Sequence, residues 1–428
     1  MQEHPASGSS WHAWARWVCS DLIIVLLLAA GCSRDEGGTS ATAHAATTRA
    51  AAPRAVEGVV GDWTGFQGSG ALRGQASGLA RPPLKLKWMY KTSDGERAGV
   101  MGSVAIVGSS VYVADDKGTL HALNLADGSV RWKYSSAMSK TADAAAARGE
   151  FLTSPLVVGE RVFIGDNHGI FHAVSAKDGQ RLWTFDAQTE MRSSANVLDL
   201  GEKIVFATDG ASLFCLKAAD GDKVWEADAG DRVNSCPMVA IGGGKDLSVV
   251  YTAGCDAMLR AYDAKTGAPL RAAMLQMPSG GSVVLLPDGK GFVVATDGGH
   301  VTCYDQSNLA VRWQYTGVED NAMIYSTPAV DQGIAVVGAQ DRFVHAIDLA
   351  TGQMKWRFRT RGNVDASPVI CGDYVYAGSN DRKLYALELK TGREVWSFTA
   401  GRGIVAPVAI GRGVLVVGDT GGNVYCFE

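Results

Sequence analysis

The chain has 428 residues, a formal charge of −4, 46% hydrophobic and 20% charged residues, 52 glycines and 12 prolines. That apolar content suffices for a large core and excludes a globally disordered chain, and a weakly acidic balance without a basic block argues against a binder of nucleic-acid phosphates. Length alone suggests about three domains, a count that an internal repeat would void.

The first segment reads as an address. Residues 22–30 form an apolar run far below the roughly 20 residues needed to cross a bilayer, and it ends in Leu28-Ala29-Ala30-Gly31-Cys32. Small residues before a cysteine resemble a bacterial lipobox, which implies removal of residues 1–31 and lipidation of the Cys32 thiol. Arg16, the only basic residue ahead of the run, and Asp21 at its edge depart from that pattern. Ser33 stands where, by the same resemblance, an aspartate favours inner-membrane retention; its absence points to the outer membrane. Residues 32–60, rich in Ala, Thr, Gly and Ser, read as a flexible tether, followed by a lead-in over 61–83.

From residue 84 onward the chain is one repeat. A glycine precedes a tryptophan by four residues in Gly128/Trp132, Gly179/Trp183, Gly221/Trp225, Gly352/Trp356 and Gly392/Trp396. Gly267 keeps the frame with Arg271 in place of tryptophan, and Trp313 keeps it with Leu309 in place of glycine. The mean period is about 44 residues, the spacing of a propeller or a solenoid. Within a unit, Val111-Tyr112-Val113-Ala114, Leu120-His121-Ala122-Leu123 and Val130-Arg131-Trp132-Lys133-Tyr134 are strands parted by Asp-Lys-Gly and Asp-Gly turns. No long 3.6-periodic segment interrupts them, so the expected fold is all-β, an eight-bladed β-propeller of four-stranded antiparallel blades. The eighth unit stops after its third strand. Leu86-Lys87-Trp88-Met89-Tyr90 matches Val130 to Tyr134 position for position, so it is expected to complete that blade and close the ring.

Ala346-Ile347-Asp348-Leu349-Ala350-Thr351-Gly352-Gln353-Met354-Lys355-Trp356 and its counterpart ending at Trp396 resemble the tryptophan-docking motif of the pyrroloquinoline quinone (PQQ) type propellers. The resemblance covers about residues 84–428, and Asp62-Trp63-Thr64-Gly65-Phe66 resembles the segment that precedes such propellers in secreted bacterial proteins. It implies one of two activities. One subgroup holds quinone-dependent alcohol dehydrogenases, with PQQ, Ca2+, a catalytic aspartate and commonly two adjacent cysteines. The other holds cofactor-free lipoproteins similar to the propeller subunit of the outer-membrane β-barrel assembly (BAM) machinery. There is no Cys-Cys pair and no Cys-x-x-Cys-His here, and the blades are compact. Asp365 alone stands where a catalytic aspartate would, and a solvated loop carboxylate is the plainer reading.

The tryptophans Trp88, Trp132, Trp183, Trp225, Trp313, Trp356 and Trp396 are expected to pack against neighbouring blades rather than stack on a quinone, since one cofactor needs one face. Cys215, Cys303 and Cys426 share a third-strand position that is alanine elsewhere, and read as core. His121, His172 and His345 share another strand position with Phe214 and Tyr385, and read as packing. Loops entering each first strand run apolar, variable, small, small, often Pro. Their variable position holds Arg192, Asn234, Tyr325 and Asp365, and the turns after the second strands bring Arg342 and Arg382 to the same mouth of the channel. This mouth is either a solvated rim or a surface for a protein partner. An Ala-rich stretch between 135 and 153 is expected to fold as a short helix over it. Cys236 and Cys255 flank a hairpin about two residues off register, near the upper limit for a disulfide, so both a bridge and two thiols stand open. The expected protein is a lipid-anchored, non-enzymatic scaffold on the periplasmic face of the outer membrane, with a PQQ dehydrogenase or a ligand-sensing propeller as the alternatives.

Overall fold

Runs of alternating apolar residues can bury only one face as strands, and pairing through tight turns stacks them into small sheets. The computed structural model describes residues 61–428 apart from 69, 78, 79, 94, 96, 138–147, 242–247, 320 and 321. Cys32, the leader, the tether and most of the Ala-rich stretch lie outside the described residues. Eight sheets, each of four antiparallel strands, follow one another around an axis, and Gln75–Ala76 adds a fifth, parallel strand to blade 7. Blade 1 comprises Ala105–Val107, Ser110–Ala114, Thr119–Asn124 and Val130–Ser135. Blades 2 to 8 start at Leu156–Val158, Asn196–Leu198, Met238–Ala240, Val284–Leu285, Ala329–Asp331, Val369–Cys371 and Ala409–Gly411. These short first strands lie nearest the axis and touch those of neighbouring blades.

The ring closes as the sequence predicts. Leu86–Lys91 pairs antiparallel with Asn423–Phe427, placing Trp88 opposite Cys426. The same cross-strand pairing explains the small third-strand residue. Ala122 faces Trp132, Cys215 faces Trp225, Cys303 faces Trp313 and Ala346 faces Trp356. An indole lying over the neighbouring strand leaves room for a methyl or a thiol and nothing larger. Burial pushes the Cys215 and Cys426 thiols up to about 12 and Cys303 up to about 11. Inert thiols of this kind act as core.

Seven of the eight seams between blades are built around an indole. The Trp132 ring lies against Gly179 of blade 2, where an added Cβ would come within 2.7 Å of the ring. Its Nε1–H donates to Ala176 O at 3.1 Å. Trp88 does the same across the closing seam, against Gly128 and to Leu125 O at 2.9 Å. Those glycines also sit at φ of 74°, in the left-handed region. At the seam of blades 4 and 5 both partners change. Arg271 Nη1 donates to Ser307 O at 2.7 Å and Nη2 to Tyr251 Oη at 3.3 Å, and the facing turn carries Leu309 at φ 60°. The two departures from the repeat thus meet at one seam: without an indole, the turn tolerates a Cβ.

The lead-in runs around the inside of the ring. Gly61 O accepts from Arg412 N of blade 8, Trp63 pairs with Ile106 of blade 1, and Thr64 O accepts from Val157 N of blade 2. Gly70 O takes Asn196 Nδ2 of blade 3 and Val239 N of blade 4. Ala71, Arg73 and Gly74 offer their carbonyls to Leu285, Val330 and Ile370 of blades 5, 6 and 7. Trp63, Gln67, Ala71 and Leu72 are fully buried there, so the chain fills its own axis at the end where first strands turn into second strands.

Candidate functional site

The opposite end of the axis is the mouth. Two residues before each first strand stand Ser103, Ser154, Ser194, Cys236, Ser282, Thr327, Ser367 and Pro407. Ser103 N–H donates to Ser154 Oγ at 2.9 Å, and Ser154 N–H to Ser194 Oγ at 3.0 Å. Cys236, Ser282 and Thr327 N–H groups donate to Ser282, Thr327 and Ser367 hydroxyls, each at 2.9 Å. A hydroxyl belt links blade to blade, which is why those loops need small polar residues. Pro407 interrupts it because it has neither an N–H nor a hydroxyl. Cys236 interrupts it with a thiol that lies 3.7 Å from Ala195 O.

The six rim residues do not converge on one point. Arg192 bridges Glu190 at 3.0 Å and Asp209 at 3.3 Å. Asn234 Nδ2 lies 3.9 Å from Cys255 Sγ, while its Oδ1 is buried with no partner among the described residues. Tyr325 donates to Met323 Sδ at 2.7 Å and flanks Gly280 and Asp297. Asp365 accepts from Gln340 Nε2 at 3.1 Å and Asn380 Nδ2 at 2.7 Å, so it is held by amides rather than freely solvated. Arg342 and Arg382 take left-handed turn positions, with φ of 70° and 73°, and their carbonyls accept from Thr360 and Ala400. Cys236 and Cys255 are both thiols in the structure. Met238 pairs with Tyr251, and continuing that register sets Cys236 opposite Ala253, two residues from Cys255.

Burial raises four carboxyls around this mouth. Asp297 is pushed up to about 6, and Asp116, Asp209 and Asp365 are held above the usual carboxylate range. Asp209 is partly pulled back by Arg192, and Asp365 by its two amides. Asp365 spends its carboxylate on these two amides, and among the described residues no three His, Cys, Asp or Glu side chains group as metal ligands.

The histidine position holds more than packing, which the sequence pattern missed. His172 Nε2 lies 3.0 Å from Asp166 Oδ2, and its Nδ1 lies 2.9 Å from Tyr134 Oη on the previous blade. His121 links Asp115 and Tyr90 in the same way, and His345 links Asp341 and Tyr315. In blades 7 and 8, where the previous blade supplies phenylalanine instead, tyrosine replaces histidine and reaches the aspartate itself, whereas in blade 3 Phe185 meets Phe214 and the polar chain is absent. Tyr385 against Phe358 donates to Asp381 at 2.7 Å, and Tyr425 against Phe398 donates to Asp419 at 3.0 Å. All three histidines are buried, so these Asp–His–Tyr chains carry polarity through a seam and expose no base to a substrate.

The family model described as outer membrane protein assembly factor BamB matches residues 71–173 and 255–406, more than half of the chain. The chain belongs to the BamB family. BamB of Yersinia pestis is 25% identical over 305 residues, 66% of this chain and 70% of that protein. The structure of BamB from Moraxella catarrhalis superposes with a TM-score of 0.62 at 15% identity, covering 81% of this chain and 99% of that one. The quinohemoprotein alcohol dehydrogenase from Comamonas testosteroni reaches 0.69 at 14% identity, over 86% of this chain and 80% of that one. At those identities the two structures share the fold alone with this BamB-family chain.

Proposed function

We propose that this chain is a non-enzymatic propeller scaffold, anchored through Cys32 on the periplasmic face of the outer membrane, that binds a protein partner in outer-membrane protein assembly. The observation that carries this reading is the family match over 71–173 and 255–406, seconded by the Yersinia pestis relative. The mouth offers what a protein partner needs: loops held on a rigid belt, with fixed charges and amides at Arg192, Asn234 and Asp365. No PQQ and no Ca2+ are needed for this role. Crosslinked envelopes should yield the chain with an outer-membrane assembly protein, and Arg192→Glu with Asp365→Asn should reduce that capture while the purified variant keeps the β-sheet circular dichroism of the unmodified chain. Purified protein that retains a quinone absorbance after desalting from PQQ and calcium, and then reduces a dye with an alcohol, would overturn the reading.

A further inference from the structure

The outer strands of blades 8 and 1 are neighbours at the seam where the ring closes. Leu86–Lys91 and the residue before it carry Lys85, Lys87 and Lys91, and Val130–Ser135 carries Arg131 and Lys133, all of them exposed. The Lys133 Nζ lies 6.0 Å from the centre of the Tyr90 ring, so the two rows adjoin. Two described carboxylates stand at their ends. Glu428 pairs with Lys87 at 3.1 Å, and Asp127, in the turn before Val130, takes both the N–H and the hydroxyl of Ser129. Lys85, Lys91, Arg131 and Lys133 form no salt bridge among the described residues. Between these cations Leu86, Met89 and Val130 are 48%, 58% and 44% exposed. On the other outer strands an acid or a partner intervenes. Blade 2 has Asp186 on the strand of Leu182, blade 3 has Glu226 and Asp228, and blade 7 has Glu394 as its one charge. Blade 4 exposes Leu270 and Met274, but its Arg271 is spent on Ser307 O. Arg312 of blade 5 is paired with Asp305, and Lys355 and Arg357 of blade 6 with Asp348 and Glu319.

We propose that this double row docks on an anionic phospholipid membrane and lays the blade 8 and blade 1 side of the propeller against the bilayer. The proposal rests on the reading that the chain is held at a membrane. Cations without a carboxylate partner keep their charge for headgroup phosphates, and the apolar side chains between them can enter the headgroup layer. Those two contributions together hold peripheral proteins to a bilayer. The chain as a whole carries −4, so the attraction comes from this side alone and orients the molecule. A strand of another protein is the poorer occupant. Both outer strands break register near their start, which leaves Lys87 and Arg131 out of the ladder. Such bulges protect an edge against strand pairing. A headgroup layer has no register to match.

Residues 61–428 hold every described strand and close on themselves into the ring, so this length tests the surface without leader or lipid. In flotation it should partition onto vesicles of phosphatidylethanolamine and phosphatidylglycerol and not onto phosphatidylcholine vesicles, and added salt should release it. Lys91→Glu with Lys133→Glu should lower partitioning at least tenfold, since each lysine at an anionic surface is worth about fivefold. Lys223→Glu with Lys355→Glu makes the same charge change on blades 3 and 6 and should lower it by less than about threefold. Both double variants should keep the β-sheet circular dichroism of the unmodified chain. The six cysteines of this length are all buried, so Met89→Cys can be labelled alone with a polarity-sensitive fluorophore. Its emission should move to the blue on the phosphatidylglycerol vesicles and stay in place with soluble polyglutamate. Partitioning that ignores phosphatidylglycerol, or equal losses in the two double variants, overturns the proposal. So does an emission shift as large with polyglutamate as on vesicles, which would mark a surface for an acidic protein. Capture of an assembly protein from envelopes reads the mouth instead, so either result can fail while the other stands.

Discussion

At the seam of blades 1 and 2 an indole lies on a glycine and donates to a carbonyl; at the seam of blades 4 and 5 a guanidinium makes the donation and the glycine has become leucine. Both seams satisfy the same backbone carbonyl region of the next blade. They differ in what covers it. Trp132 is buried and brings a large apolar ring, whereas Arg271 brings a polar fork, with its Nε buried and without a partner among the described residues. The comparison separates two parts of the docking motif. The hydrogen bond can be kept by a different donor, and the glycine is required only because the ring is there.

The sharpest way to break the contrast is to remove each docking side chain. Trp132→Ala should cost about 3–5 kcal/mol, as large aromatic truncations in a core do. Arg271→Ala should cost about 1–2 kcal/mol, the worth of a hydrogen bond to a charged group. Urea unfolding of the two variants measures the gap, and equal losses would show that the ring adds nothing to its donor. A second test asks whether polar chains also hold seams. His172→Leu leaves the Asp166 carboxylate and the Tyr134 hydroxyl without their shared partner, and should cost about 2–3 kcal/mol. Its loss should fall between the two docking variants in the same denaturant series.

A double-mutant cycle sharpens the link between Arg271 and Leu309. Arg271→Trp alone should destabilise, because the Leu309 side chain occupies the place where the other seams have only glycine. Adding Leu309→Gly should recover that loss, with a coupling of about 1–3 kcal/mol. Additive effects would show that the two departures are unrelated. The smallest effect lies at the mouth end of the same seam, where Asp297 accepts from Gly280 N–H at 3.2 Å and burial lifts its carboxyl to about 6. An unfolded aspartate titrates near about 3.9. The fold therefore favours the protonated acid, so this contribution is complete below the unfolded value and is lost as pH rises through about 6. Asp297→Asn should melt above the unmodified chain at pH values above that range and show no advantage in acid, as thermal melts at the two ends would record.

The repeat, the closing strand and the role of the small third-strand residue are all legible in the sequence, because each recurs with the period of the blades. The pairing of Arg271 with Leu309 also left a signal. A glycine stands roughly one repeat after Trp88, Trp132, Trp183, Trp225, Trp313 and Trp356, and at Arg271 and Leu309 both positions fail together, but the link appears only when a side chain is compared with the following unit instead of its own. From sequence the buried histidines look like packing because their position alternates with Phe214 and Tyr385. The missing clue was the aspartate six residues earlier in Asp115/His121 and Asp166/His172, together with a tyrosine on the previous outer strand. The mouth was legible as a set of loops and not as a set of contacts, since the partners of Asp365 and Arg192 depend on how blades lean together. The lead-in's resemblance over Asp62 to Phe66 says that it precedes a propeller and not where it runs: its bonds to the blades use mainly its backbone carbonyls, which any residue has.

That inner band also dictates a timetable. Asp62 reaches Arg412 across 350 residues, and the residues after it bind strands from every part of the chain. Contacts so distant in sequence form slowly, because the intervening chain must be ordered first. The earliest of the described residues to be synthesised are therefore among the last to find their places. Until blade 8 is made, seven blades stand with an open edge and an empty axis, the state in which unpaired strands are most exposed to aggregation. For this protein the vulnerable interval is the wait between making residue 61 and making residue 427, and it ends when the ring shuts on its own beginning.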